Sequence, residues 1–123
     1  MLFRSELVGI GWGALYTNGT ANQNTGVGYN ALSLNSIGAN NVAVGDSALL
    51  NNVAAQNTAV GSLALYNDTG ASNTGLGYYA GYNISTGSNN LCLGQSSGTD
   101  ALVNITTQSN YVVLGNKIGR AHV

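Results

Sequence analysis

The strongest constraint on this chain is a short phrase that recurs along almost its whole length. The phrase reads Asn-Thr-(Gly/Ala)-(Val/Leu)-Gly, continues through two variable residues and closes with Ala-Leu. Successive copies are 17, 17, 16, 16, 17 and 21 residues apart, and their anchor glycines are Gly11, Gly28, Gly45, Gly61, Gly77, Gly94 and Gly115. A period of this length predicts a solenoid, in which each copy forms one coil and stacks on the next.

Each copy contains the alternation of a short β-strand. Before the anchor glycine stands a large aliphatic residue, before that a small residue, and before that a mostly β-branched one, as in Val42-Ala43-Val44. Alternate residues of a strand lie on opposite faces of the sheet. A helix is disfavoured because glycine and β-branched residues recur in every copy. The sequence therefore predicts an all-β chain, a parallel β-solenoid or β-roll of about seven coils of 16–17 residues.

The second half of each copy predicts how the coil closes. Pairs such as Ala48-Leu49 indicate a second short strand with inward-facing side chains. Asn-rich stretches such as Asn51-Asn52 indicate a corner with left-handed backbone, which Asn and Gly tolerate. Parallel stacking at about 4.8 Å per coil would align equivalent residues in Asn and Thr ladders. We divide the chain into an N-terminal lead-in (1–6), the repeat solenoid (7–98) and a C-terminal coil with its end segment (99–123).

One narrow coil encloses few side chains, which favours assembly of several chains. Residues of the small position, such as Gly26, Ala43 and Ala59, would allow another chain to approach closely. The sequence therefore predicts a homotrimer, intertwined or side by side, although its period is also compatible with a dimer or a monomer.

Composition excludes several classes of function. Only 6% of the residues are charged, the net charge is −1 and three residues are Lys or Arg, so a nucleic-acid partner is not expected. No apolar run approaches the ~20 residues that cross a bilayer, so membrane insertion is not expected. One His, one Cys and four acidic residues predict no enzyme, no cofactor and no metal site.

Two features that look like sites have structural interpretations. Cys92 occupies the small position of its copy, which predicts a small buried thiol. Stretches of the form Gly-x-Gly-x-x-Ala, such as Gly26 to Ala31, resemble a dinucleotide fingerprint, but they recur because the coil recurs.

Aromatic residues occupy fixed phases of the repeat. Trp12, Tyr29, Tyr78 and Tyr79 follow an anchor glycine by one or two places, and Tyr16, Tyr66 and Tyr82 follow one by five. Aligned along a rod, exposed rings could stack on sugar rings, and Trp12, Tyr78 and Tyr79 are the candidate glycan contacts. The alternative is that they wedge between chains or cover the coil edge.

The segments from Asn41 to Leu49 and from Asn57 to Gly61 resemble the repeats of two fibrous groups. One group is the heads of trimeric autotransporter adhesins, whose repeat Asn-Ser-Val-Ala-Ile-Gly folds as a trimeric left-handed parallel β-roll. The other is the shafts of bacteriophage tail fibres, which the longer period here favours. The run from Gly87 to Asn116 also resembles the segment that precedes an endosialidase-type intramolecular chaperone in tail fibres of marine and cyanobacterial phages. Neither that chaperone nor its Ser-Asp cleavage junction follows here.

This resemblance implies a virion protein, a tail-fibre segment involved in host attachment. Its expected partners are other copies of itself, other tail proteins of the virion and a host surface polysaccharide. One alternative is the head of a bacterial surface adhesin, extracellular or on the cell surface, which the long period and the lack of an apolar signal in residues 1–6 disfavour. Another is an ice-binding solenoid, but its Thr array would be broken, since only Thr25, Thr58 and Thr74 occupy the third place before a glycine.

Overall fold

The computed structural model describes residues 6–99 and 105–115, and it contains seven parallel strands of three residues in one sheet. The strand order follows the chain, so each strand pairs only with its neighbours in sequence. Every strand ends at the residue before an anchor glycine, which confirms the all-β parallel solenoid. The strands are β1 (Val8–Ile10), β2 (Thr25–Val27), β3 (Val42–Val44), β4 (Thr58–Val60), β5 (Thr74–Leu76), β6 (Leu91–Leu93) and β7 (Val112–Leu114).

The register is the one that the repeat predicts. Ala43 pairs with Ala59, so equivalent positions of successive coils lie side by side. The longest interval keeps this alignment, because Leu91 of β6 still pairs with Val112 of β7. Residue pattern, and not coil length, therefore sets the register.

The predicted second strand is absent from the described coils, where a run of turns follows each glycine. In the third coil the Ala48 N–H donates to the Gly45 carbonyl at 3.4 Å and closes a turn, while the Leu49 N–H donates to Ala64 of the next coil at 3.0 Å. Ser47 and Leu49 have φ angles of 54° and 50°. A strand needs extended backbone at both places, so this part of the coil bonds its neighbour without becoming a strand.

Left-handed backbone occurs at other places than the predicted Asn corners. Asn51 and Asn52 are not among the residues with positive φ. Such residues lie instead two and four places after the anchor glycines from Gly11 to Gly94, and five places before all seven, as Ser47, Leu49 and Gln56 do. The corner prediction was therefore wrong about the backbone. The chain spreads its bend over several residues of each coil.

The anchor glycine is required for two independent reasons. Gly45 has a φ of 135°, a conformation that side chains rarely allow. A Cβ built on it would also lie 2.6 Å from the carbonyl carbon of Gly61 in the next coil. The same geometry recurs up the stack, which explains why the sequence repeats glycine at this phase.

The small strand position faces the interior of its own coil, which corrects the prediction that it faces another chain. Ala43 and Ala59 have no exposed surface and belong to one continuous core with residues such as Leu49. There is room for little more, because a Cβ built on Gly75 would lie 2.8 Å from Leu65 Cγ. The large aliphatic residues on either side of the small one therefore point outwards.

Two later coils fill the core by a different route. Gly81 occupies the place that Leu65 holds one coil earlier, and a Cβ there would lie 3.1 Å from Ile84 Cδ1. Ile84 is fully buried at the corner, where the third coil has Asn52. Glycine at one phase is thus compensated by an aliphatic side chain at another, which keeps the interior filled.

Candidate functional site

A column of buried asparagines runs through the coil interior at the residue before each of five strands. Asn57 is typical: its N–H donates to Asn41 Oδ1 at 2.8 Å, and its own Nδ2 donates to the Gly70 carbonyl at 2.9 Å. The members are Asn24, Asn41, Asn57, Asn73 and Asn90. The sequence predicted Asn ladders, and here the amide oxygen of one member accepts the backbone N–H of the next. Amide-to-amide bonds also occur, from Asn57 Nδ2 to Asn52 Oδ1 within a coil and from Asn51 Nδ2 to Asn67 Oδ1 between coils. These amides stabilise the stack and are not open to a ligand.

A carboxyl group replaces asparagine at one corner of this interior. Asn35 and Asn52 accept backbone N–H groups of Gly38 and Ala54. At the same phase Asp68 accepts the Gly70 N–H at 2.9 Å and Asn73 Nδ2 at 3.0 Å. Burial raises the pKa of Asp68 from 3.8 to about 7, against the opposing effect of these two hydrogen bonds. Sequence reasoning missed this group, although its phase matches that of buried asparagines.

Cys92 is buried and free, as the sequence predicted. Burial, followed by the charge of Asp68, raises the pKa of its thiol to about 11. A thiol in this state is a poor nucleophile at neutral pH. Its contribution is to fill the small position of β6.

The residues on either side of the small strand position form an uncharged, mainly aliphatic surface of eleven aliphatic residues and three threonines, which we call the outer face. It consists of the first and third residues of β1 to β7, aligned in two columns by the strand register. None of these fourteen residues is charged. Exposure ranges from 37% for Val44 to 66% for Val112 among the members with open side chains, which are Val8, Ile10, Val42, Val44, Val60, Leu93, Val112 and Leu114.

The aromatic residues form two separate clusters. In the N-terminal cluster, the rings of Trp12 and Tyr29 stack at 5.2 Å and 13°. The C-terminal cluster contains Tyr66, Tyr78, Tyr79 and Tyr82, with centroids 4.5–5.2 Å apart. Trp12 and the pair Tyr78 and Tyr79 therefore belong to coils four repeats apart. The structure does not bring the three candidate glycan contacts into one site.

A cleft of about 290 Å³ lies beside the N-terminal cluster. It is lined by Trp12, Gly13, Tyr16, Asn30 and Ser33. Trp12 and Tyr16 are 73% and 80% exposed, so both rings protrude from the coil.

The residue type at one phase explains why the cleft is open here. In the fourth and fifth coils that phase holds Tyr66 and Tyr82, which stack on each other at 5.2 Å. In the first two coils it holds Tyr16 followed by Ser33. The small serine leaves the space over Tyr16 empty.

Comparison with known proteins identifies no relative: no protein-family model, curated protein sequence or solved structure matches the chain. Among residues 6–99 and 105–115, no three His, Cys, Asp or Glu side chains gather as a metal site. The same residues contain no helix with the length and apolar character needed to cross a bilayer. Function must therefore be inferred from the outer face and the aromatic cleft.

Proposed function

We propose that this chain is a segment of a homotrimeric fibre, specifically of a bacteriophage tail fibre that contributes to host attachment. On this proposal it is carried on the virion, joined to other tail proteins, and meets a polysaccharide of the host surface. The observation that carries the proposal is the outer face, an uncharged and mainly aliphatic surface whose exposed large hydrophobic members lie on β1, β3, β4, β6 and β7. The resemblance of the repeats to tail-fibre shafts and adhesin heads adds the fibrous context.

The size of the outer face supports a stable partner. Eight of its aliphatic residues remain 37–66% exposed, whereas a specific protein interface typically covers such side chains with a partner. Soluble monomers rarely expose contiguous apolar patches of more than a few hundred Å². A chain with 6% charged residues has few charges with which to keep such a surface apart from others.

The partner that fits best is another copy of the same chain. Its side chains repeat at the same axial spacing of about 4.8 Å, so two columns can interdigitate along the whole length. A partner without that period would match at only one or two rungs. Three copies around a common axis would bury the outer face of each, and closed symmetry would prevent further growth.

Light scattering on the intact chain tests this proposal. The expected mass is three times the chain mass of 12.5 kDa. The double substitution Val44→Lys and Val60→Lys puts charge on the centre of the outer face and should abolish the trimer. Gln56→Lys, at an exposed residue outside the strands, should not. A folded, monodisperse monomer for the unsubstituted chain would refute the proposal, as would a trimer that survives the double substitution.

A further inference from the structure

We infer that the cleft formed by Trp12, Tyr16, Asn30 and Ser33 binds one neutral pyranose ring. This inference rests on the proposed attachment function and names the ligand class and the residues for it. It also differs from the sequence expectation, because Tyr78 and Tyr79 have no part in the site.

The walls of the cleft are aromatic. Trp12 stacks on Tyr29 with the ring centroids 5.2 Å apart, a contact that favours one orientation of its ring. Tyr16 also lines the cleft, and no ring of the next coil covers it, since Ser33 holds the equivalent position there. The C–H faces of a pyranose pack on such rings while its hydroxyl groups stay available for hydrogen bonds.

The floor of the cleft is polar and open. A Cβ at Gly13 would collide with Asn30 Oδ1, so glycine at this position leaves the amide uncovered. Unlike the ladder residues, the Asn30 side chain has no hydrogen-bond partner among the described residues, and neither has the Ser33 hydroxyl. Asn30 is half-buried and Ser33 is only 8% exposed, and both line the cleft. An amide and a hydroxyl between two rings suit the equatorial hydroxyls of a sugar.

The charge and the size of the cleft limit which ligands it can bind. None of the five lining residues is charged, which favours a neutral hexose over an anionic sugar. A volume of about 290 Å³ lies at the lower end of the ~300–1,000 Å³ range of ligand pockets, enough for one ring. Affinity for one ring should be millimolar, and a trimer would combine three such sites.

The cleft and the outer face share no residue. Trp12 and Tyr16 follow the bend at Gly11, whereas the outer face belongs to the strand before it. The two proposals therefore concern separate surfaces, and each can fail without the other.

Tryptophan fluorescence tests the inference directly, since Trp12 is the single tryptophan of the chain. The full chain is titrated with methyl α-D-glucopyranoside, methyl α-D-galactopyranoside and N-acetyl-D-glucosamine at millimolar concentrations. We expect a saturable change in emission with at least one of them. Ser33→Tyr should place a ring over Tyr16, as Tyr82 covers Tyr66, and weaken binding at least about tenfold. Tyr111→Ala, which removes an exposed ring in another coil, is the matched control and should bind normally.

Each outcome bears on the inference. No saturable change with any of the three sugars would overturn it, and so would equal affinity in Ser33→Tyr, or tighter binding of N-acetylneuraminic acid. Far-UV circular dichroism checks the fold of the variants, and Tyr16→Ala, at an 80% exposed residue, replaces Ser33→Tyr if the latter does not fold. Light scattering on the same samples separates the proposals: a trimer that binds no sugar overturns the cleft alone, and a monomer that binds sugar overturns the fibre alone.

Discussion

Replacing Asp68 by Asn should make the stability of this solenoid nearly independent of pH. The folded chain holds the Asp68 pKa at about 7, against 3.8 in the absence of burial, so ionisation works against folding. Because the carboxyl is harder to ionise in the folded chain than in the unfolded chain, it does not reduce stability below about pH 4. Its destabilising effect grows from about pH 4 to about pH 7 and is complete above that. The difference of about three pKa units corresponds to a loss of about 4 kcal/mol at most.

Asparagine fits the place of Asp68 without new strain. Asn35 at the same phase accepts the Gly38 N–H at 3.0 Å and donates to the Gly38 carbonyl at 2.8 Å. Asn at position 68 can make the equivalent pair of bonds with Gly70, which now donates to the carboxylate. At about pH 8 the variant should exceed the unsubstituted chain by a few kcal/mol, and at about pH 4 the two should be similar.

Urea unfolding at fixed chain concentration, between about pH 4 and about pH 9, measures this difference. Asp46→Asn is the control, since Asp46 is an exposed carboxyl bonded to the neighbouring Ser47 hydroxyl. Its profile should follow that of the unsubstituted chain. If Asp68→Asn and the unsubstituted chain give parallel profiles over the whole range, Asp68 is not a buried carboxyl of the kind described.

Three further substitutions test the interior. Ala59→Leu should lower stability by about 1–3 kcal/mol per chain through overpacking, whereas Ser62→Leu should change it little, and equal melting temperatures would contradict the assignment of faces. Gly61→Ala should cost at least about 2 kcal/mol in urea unfolding, since φ is 132° and the new Cβ would lie 2.5 Å from the Gly77 oxygen; an unchanged midpoint would disprove this close approach. Asn57→Leu should lower stability by about 2–5 kcal/mol, because it leaves the Gly70 carbonyl and the Asn73 N–H without partners. Hydrogen exchange of the Asn73 amide should become faster, and an unchanged exchange rate would contradict this prediction.

Strand positions and register were predictable because two local rules agree at every copy. Period-two alternation marks the strand, and the glycine after Val44 or Val60 marks its end. The orientation of the strand was not predictable from alternation, which separates two faces without saying which is inside. The size of the coil decides which face is inside. With 16–17 residues in a turn there is little room for a larger side chain at the small position, since even a Cβ on Gly75 would lie 2.8 Å from Leu65 Cγ.

The left-handed backbone and the cleft could be recognised only from the three-dimensional packing of the coils. Leu49 adopts left-handed backbone, which leucine disfavours by about 1–2 kcal/mol, because that conformation buries its side chain. Local propensity therefore predicted the left-handed backbone at the neighbouring asparagines and not at Leu49. The cleft depends on Tyr16 and Ser33 meeting across two coils, and aligning the copies by phase would have placed these residues together. Its open amide at Asn30 could not be read from the sequence, where ladder and surface asparagines look alike.

The stacking of β1 to β7 also sets how many residues this architecture needs for a given length of fibre. Each coil uses 16 or 17 residues for an advance of about 4.8 Å, or ~0.3 Å per residue, whereas an α-helix advances 1.5 Å per residue. A coiled coil of equal mass would extend about five times as far. Such a rod is short for its mass, but it presents many surface residues per unit length. Each coil adds its own outward-facing residues to a backbone that stays the same. Recognition can then vary rung by rung, while glycine and asparagine keep the backbone the same.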